Sequence, residues 1–208
     1  MIPSYIKDPA EIYRESARLI REATNLSAVP EELRDVAIRL VHTTGRPETA
    51  EPLVASPGAA GIGAAALKAG APILCDVQAV ATGIIRARLP ADNAVLCTLN
   101  LGGTPSLAAR LGTTRSAAAV EMWEPWLDGA VVAIGNAPTA LFHLLERLRD
   151  GFPKPALILG FPVGFVGAAE SKDALIDSGL PHIVLRGREG GSPLAAAAVN
   201  ALSGGLET

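Results

Sequence analysis

The 208-residue sequence predicts an α/β protein: a parallel, helix-flanked, doubly wound (Rossmann-like) sheet of about five strands, preceded by a helical segment. Three observations lead there. From Ala71 onward, short runs rich in Val, Ile and Leu alternate with longer stretches of helical period. Turn residues bound almost every run. Apolar residues make up 49% of the chain and aromatics only 4%, with 21 glycines, so Ala, Val, Leu and Ile must close helices onto the sheet. At this length one core suffices, and residues 1–208 are expected to form a single domain, mainly helical over 1–70 and alternating strand and helix over 71–202.

In "DPAEIYRESARLIREA" Asp8 is a cap, Pro9 fits the first turn, and Ile12, Leu19, Ile20 and Ala23 recur at helical spacing. "PEELRDVAIRLVHTTG" predicts a second helix, with acidic residues in its first turn and Gly45 just past its end. "GIGAAALKAG" predicts a third, and "EPLVASPGAA" before it holds two prolines and predicts no strand. The strands are "APILCD", "AVLCTL", "AVVAIG", "PALILGF" and "HIVLRG". Between and after them "VQAVATGIIRARL", "RSAAAVEMWEPWL", "PTALFHLLERLRD", "AAESKDALIDSG" and "SPLAAAAVNAL" predict crossover helices; "NLGGTPSLAARLG" fits neither pattern. Right-handed crossovers place ligands at the carboxyl ends of the strands.

A net charge of −3 provides no general field for nucleic acid or an anionic membrane, so an anionic ligand needs a local arginine cluster. Cys75 and Cys97 read as buried thiols in a reducing compartment. The start of the chain lacks a signal-peptide pattern, and the longest apolar passage, "ALILGFPVGFVGAA", is broken by Gly and Pro, so the expectation is a cytoplasmic protein with no membrane span. The three histidines have no metal-ligand spacing; His143 and His182 read as packing or surface residues. A Walker loop and a Gly-x-Ser-x-Gly elbow are absent, while Gly61-x-Gly63-x-x-Ala66 imitates a dinucleotide fingerprint without a preceding strand.

The Gly135-Asn136-Ala137-Pro138 turn precedes a helix whose first-turn amides can hold an anion, or it is an ordinary strand-to-helix loop. "LGFPVGFVGAAESKD" and "LRGREGGSPLAAAA" repeat the pattern, and three such turns together predict a cleft for a polar, anionic occupant. Arg86 and Arg88, Arg115 beside Ser116, and Arg186 and Arg188 offer fork geometry for carboxylates, or are surface arginines paired at little gain. On the helix from Glu31 to His42, Leu33, Val36, Ala37, Leu40 and Val41 form a buried stripe, and Asp35, Arg39 and His42 share a second face. The carbonyl end of the helix biases His42 toward its protonated form, fit for a proton donor; the alternative is a histidine that only completes the helix end.

With "RLVHTTG", "LKAGAPILCD", "TRSAAA", "VAIGNAPTAL" and "GFPVGFVGAAESK" in the same order and spacing over nearly the whole chain, the sequence resembles the precorrin-8X methylmutase family of cobalamin biosynthesis. The resemblance implies a homodimer with active sites at the subunit interface, a corrinoid (tetrapyrrole) substrate, and no nucleotide, metal or organic cofactor. It implies a methyl shift from C-11 to C-12 of precorrin-8X, giving hydrogenobyrinic acid. The family's essential histidine falls on His42 and its substrate contacts on Ser16 and Arg39. On this reading His42 protonates a ring nitrogen and the methyl moves by a suprafacial 1,5-shift, while Arg39 holds a peripheral carboxylate. Arg86, Arg88, Arg115, Lys172, Arg186 and Arg188 are further carboxylate partners, with Thr82, Ser116 and Asn136 as additional substrate contacts. The alternatives are a cobalt-precorrin-8 methylmutase giving cobyrinic acid, a noncatalytic corrinoid carrier, and an NAD(P)-binding oxidoreductase of Rossmann type.

Overall fold

Alternation along the strands gives the sheet two buried faces. In the computed structural model, which describes residues 5–204, the strands are β1 (Leu53–Ala55), β2 (Ile73–Cys75), β3 (Val95–Leu96), β4 (Val131–Ile134), β5 (Leu157–Gly160) and β6 (His182–Leu185). They lie in the order β1-β6-β5-β4-β2-β3, all neighbours parallel except β1, which runs antiparallel to β6. Ile73, Val131, Ala133, Leu157, Leu159, Ile183 and Leu185 point to one face and Leu74, Val132, Ile134, Ile158 and Val184 to the other. Burial on both faces explains why these strands read as continuous apolar runs.

The first face is covered by α2 (Arg34–Thr44), α3 (Ala59–Lys68), α4 (Gln78–Gly83) and α9 (Ser192–Leu202), the second by α6 (Arg115–Glu121), α7 (Pro138–Arg149) and α8 (Ala168–Asp177). A short α5 (Thr104–Leu111) precedes α6. At the outer edge α1 (Pro9–Ala23), capped by the Asp8 carboxylate accepting from the Ala10 amide at 2.9 Å, lies on α2. No helix among the described residues is long and apolar enough to cross a membrane.

Several elements depart from the sequence expectation. β1, between the two prolines, is a strand after all: it sits at the sheet edge, where Pro52 gives up no ladder bond and its carbonyl accepts from the Arg186 amide at 2.9 Å. Gly61 and Gly63 lie inside α3; a methyl at Gly63 would meet Leu157 Cδ2 at 2.5 Å, so this glycine lets helix and sheet approach closely. The helix expected over "VQAVATGIIRARL" stops at Gly83 and resumes as a 3-10 turn at Arg86–Arg88. Asn200 of α9 makes the break, accepting from the Ile85 amide at 2.8 Å and donating to the Gly83 carbonyl at 3.0 Å. "NLGGTPSLAARLG" contains α5, with Pro105 in its first turn and Gly112 at φ 62° closing it. On α1 the inward stripe is Ser16, Ala17 and Ile20, continued by the capping Thr24, whereas Ile12, Leu19 and Ala23 are exposed.

Candidate active site

The carboxyl end of α2 rests beside α1, with Gly45 in the left-handed conformation (φ 67°) terminating the helix and its amide returning to the Val41 carbonyl at 2.8 Å. His42 in that last turn lines a groove of about 360 Å³ with Ser16, Leu19, Ile20 and Ala23 of α1 and with Gly45 and Pro47. The Tyr13 ring stacks on His42, centroids 6.0 Å apart and planes inclined by 22°. The Arg88 guanidinium lies 5.9 Å from the centroid of the same tyrosine. Tyr13 and Ser16, three residues apart on α1, therefore face the same helix end as His42.

Arg39 does not share a face with Asp35 as the spacing predicted. It turns inward and is only 5% exposed, while Asp35 stays in solvent. Among the described residues no carboxylate lies within ion-pairing distance of Arg39; its electrostatic neighbours are Arg88 and Tyr13. Burial, then the nearby Arg88 charge, lower its pKa, yet a guanidinium starts so high that it keeps its charge. The His42 pKa is lowered too, first by burial and then by the positive Arg39. The expectation that the helix end would bias this imidazole toward protonation is thus reversed: burial first, and then the positive charge one turn away, outweigh the partial charges of the last carbonyls.

The other candidate residues sit along the carboxyl edge of the sheet. The loops after β5 and β6 brace each other: the Gly164 amide donates to Arg188 O at 3.1 Å and the Gly191 amide to Phe161 O at 2.8 Å. A smaller groove of about 190 Å³, lined by Thr44, Arg46, Val163 and Glu189 among others, joins these loops to the end of α2. Arg186 and Arg188 are exposed there, the latter 5.3 Å from the Phe165 ring centroid. Arg115 and Ser116 begin α6, tied to the start of α7 by the Thr114 Oγ1–Thr139 Oγ1 contact at 2.9 Å, which sets them near the Asn136 turn. Arg86 is exposed, and the exposed Thr82 turns its hydroxyl back to the Gln78 carbonyl at 3.0 Å.

Of the two readings of the Gly135–Ala137 turn, an anion site or an ordinary strand-to-helix loop, the second fits better: the three amides are taken up inside the protein, each donating to the buried Asp76 carboxylate at 2.9 Å. Burial pushes the Asp76 pKa up, and those three amides oppose the push. Asn136 keeps an exposed side chain on this braced turn. Lys172, expected to meet a substrate carboxylate, is fully buried, its Nζ donating to the Glu189 carbonyl at 2.7 Å and its pKa brought down to about 8 by burial. Lys172 therefore secures the loop that carries Arg186 and Arg188. Among the described residues, no cluster of His, Cys, Asp and Glu could hold a metal ion. A larger cavity of about 580 Å³, between α7 and α8, is lined by none of the candidates and opens near Lys154 and Leu180, at the amino ends of β5 and β6.

Set beside known proteins, residues 11–204 match the family model for precorrin-8X methylmutase. The chain belongs to the precorrin-8X methylmutase family. A precorrin-8X methylmutase from Sinorhizobium sp. is 58% identical over 201 residues, covering 96% of both chains. A cobalt-precorrin-8 methylmutase from Methanocaldococcus jannaschii is 34% identical, over 94% of this chain and 93% of its own. The crystal structure of a precorrin-8X methylmutase from Thermus thermophilus superposes with a TM-score of 0.85 at 39% identity, over 93% of this chain and 94% of that one. As a methylmutase of this family the protein is an isomerase of cobalamin biosynthesis acting on a corrinoid precursor. Tyr13 and Asp76 are the features of the site that the sequence reading missed. Asp76 carried a signal, an aspartate directly after a buried strand, whereas the stacking of Tyr13 depends on α1 lying on α2.

Proposed function

We propose that the protein moves the ring C methyl of metal-free precorrin-8X from C-11 to C-12, giving hydrogenobyrinic acid, with His42 as the proton donor and Arg39 as the anchor of a peripheral carboxylate. The observation that carries this reading is the buried Arg39, without a carboxylate partner among the described residues, one turn before His42 on a groove that Ser16 also lines. A buried guanidinium left unpaired is costly, and an anionic ligand arm supplies the missing charge. The same event prepares the acid. When a substrate carboxylate meets Arg39, the second of the two causes that depress the His42 pKa is neutralised and the imidazole is easier to protonate. His42 then protonates a ring nitrogen, electron density is drawn through the conjugated system, the methyl migrates suprafacially, and the proton returns to His42. Atoms balance, and the protein's main work is orientation and stabilisation of the protonated ring.

Arg86, Arg88, Arg115, Arg186 and Arg188 are the further carboxylate partners in this reading, with Thr82, Ser116 and Asn136 beside them. The metal-free substrate is favoured over the cobalt form by the higher identity to the Sinorhizobium protein than to the cobalt-precorrin enzyme. The working unit is a single-domain chain paired as a cytoplasmic homodimer. What supports the pairing is apolar surface on α1 beside the groove: Leu19 and Ile12 are 49% and 44% exposed. A second copy on the α1 face would cover these side chains and enclose the ring.

The test is incubation of the purified protein with metal-free precorrin-8X carrying a labelled C-11 methyl, followed by absorption and carbon NMR. Movement to C-12 over many turnovers is expected. Binding without movement would defeat the metal-free reading and turn the experiment to the cobalt substrate or to a carrier role.

A further inference from the structure

We infer that Tyr13 is a positioning residue for the reaction: its ring fixes the plane of the His42 imidazole and supports that ring's cationic form at the moment of proton transfer. The inference rests on the reading of His42 as the acid. Its basis is the offset stack described above, with centroids at 6.0 Å and planes at 22°, within the range in which aromatic pairs attract. An imidazole at a helix end is otherwise free to turn about its terminal torsion, which is broad for such rings. A stacked neighbour on α1 removes that freedom and leaves the edge of the imidazole, where its nitrogens are, to meet a ligand.

The electrostatic surroundings give the ring a second task. From its own helix His42 faces the Arg39 charge and the last carbonyls; from α1 it faces Tyr13 and the uncharged Ser16; from the following turn it faces Gly45 and Pro47; Arg88 meets it through the far reach of Tyr13. Arg39 disfavours the imidazolium, and the π face of Tyr13 favours it. Core packing does not account for Tyr13, whose side chain is 42% exposed. The guanidinium of Arg88 at 5.9 Å from the same centroid extends the arrangement, so one phenol ring orders both the acid and a carboxylate partner.

The experiment compares the full-length protein with its Tyr13→Leu and Tyr13→Phe variants by two readouts. The first is the titration of the His42 ring by proton–carbon NMR on histidine-labelled protein, assigned with His42→Ala; it needs no corrinoid. Tyr13→Leu is expected to lower the His42 pKa by about half a unit, a roughly threefold change in the protonated fraction. The second is turnover of precorrin-8X. In Tyr13→Leu, kcat falls about tenfold while KM stays within about threefold, because orientation rather than substrate affinity is lost. Tyr13→Phe keeps the ring and recovers most of both losses. An unchanged titration and kcat in Tyr13→Leu overturns the inference, and so does Tyr13→Phe behaving like Tyr13→Leu, since the hydroxyl and not the ring would then act. If His42→Ala itself turns over at the parental rate, the acid reading fails separately, and the NMR titration still reports on the stack.

Discussion

Arg39 and His42 sit one turn apart on α2, the first buried and the second at the groove, and burial, with the guanidinium charge second, lowers the imidazole pKa. On the proposed reading the pair links anion binding to proton supply: a substrate carboxylate at Arg39 offsets one of the two causes that lower the His42 pKa. A pH signature follows. In kcat/KM, which reports the free enzyme, the alkaline limb set by His42 should fall below 6.5; in kcat, which reports the complex, it should lie at higher pH. Coincident limbs would argue against the coupling.

Replacing Arg39 separates its charge from its shape. Arg39→Met removes the repulsion, so His42 should titrate closer to 6.5 in the free protein, while corrinoid affinity falls by about 10- to 100-fold. The same variant should be more stable by about 1 kcal/mol, because a buried charge with no anionic partner gives way to an apolar chain. Arg39→Lys retains the charge but loses the fork, and is expected to weaken binding without raising the His42 pKa. Calorimetry with the corrinoid checks both; unchanged affinity in either variant removes Arg39 from the site.

His42→Ala should reduce turnover by about 10²- to 10⁴-fold while leaving corrinoid binding within about threefold. A depressed histidine pKa also means that the unfolded chain binds more protons below 6.5 than the folded one, so stability declines as pH falls from 6.5 to the folded value. The alanine variant should lack that part of the decline, which denaturant titrations at pH 5 and 7 would detect.

Asp76→Asn probes the turn at the end of β4. A carboxamide presents one oxygen and an N–H₂ group to the three amides that the carboxylate now accepts, so donors are left facing donors. A loss of about 2 kcal/mol is expected, equivalent to a fall in Tm of about 4–8 °C for a chain of this size. A variant that melts with the parent would mean the turn is held by other means.

Lys172 gives a second pH signature of opposite range. Its folded pKa of about 8 lies below the ordinary 10.5, so between those values the unfolded chain binds more protons and stability rises with pH. Lys172→Met should flatten that rise, measured as the difference in denaturation midpoint between pH 8 and 10. The hydrogen bond to the Glu189 carbonyl survives deprotonation, because a neutral amine still donates. Equal slopes in parent and variant would contradict the assignment.

The central strands and the helices that cover them were legible because both signals are local: apolar runs bounded by turns, and helical period with caps. What escaped depends on distant partners. β1 is three residues long and exists by pairing with β6, far along the chain. The break after Gly83 is made by a side chain of α9. The inward turn of Arg39 needs α1 packed over α2, and the filling of the Asn136 turn needs Asp76 from another strand end. His42, Ser16 and Arg39 came from a family resemblance, whereas Tyr13 needed the fold, since nothing in "AEIYRE" distinguishes a stacked ring from a packing residue.

The two hydrogen bonds of Asn200 carry a lesson about time. The carboxamide stands in for backbone groups 115 and 117 residues earlier, at Ile85 and Gly83. Gly83 and the two isoleucines after it weaken the helix locally, but the backbone partners that fix the break arrive only when α9 has docked. Closing so long a loop is slow compared with forming helical turns. A chain still emerging from the ribosome, with α9 yet to be made, therefore lacks the side chain that fixes the break before Arg86 and Arg88.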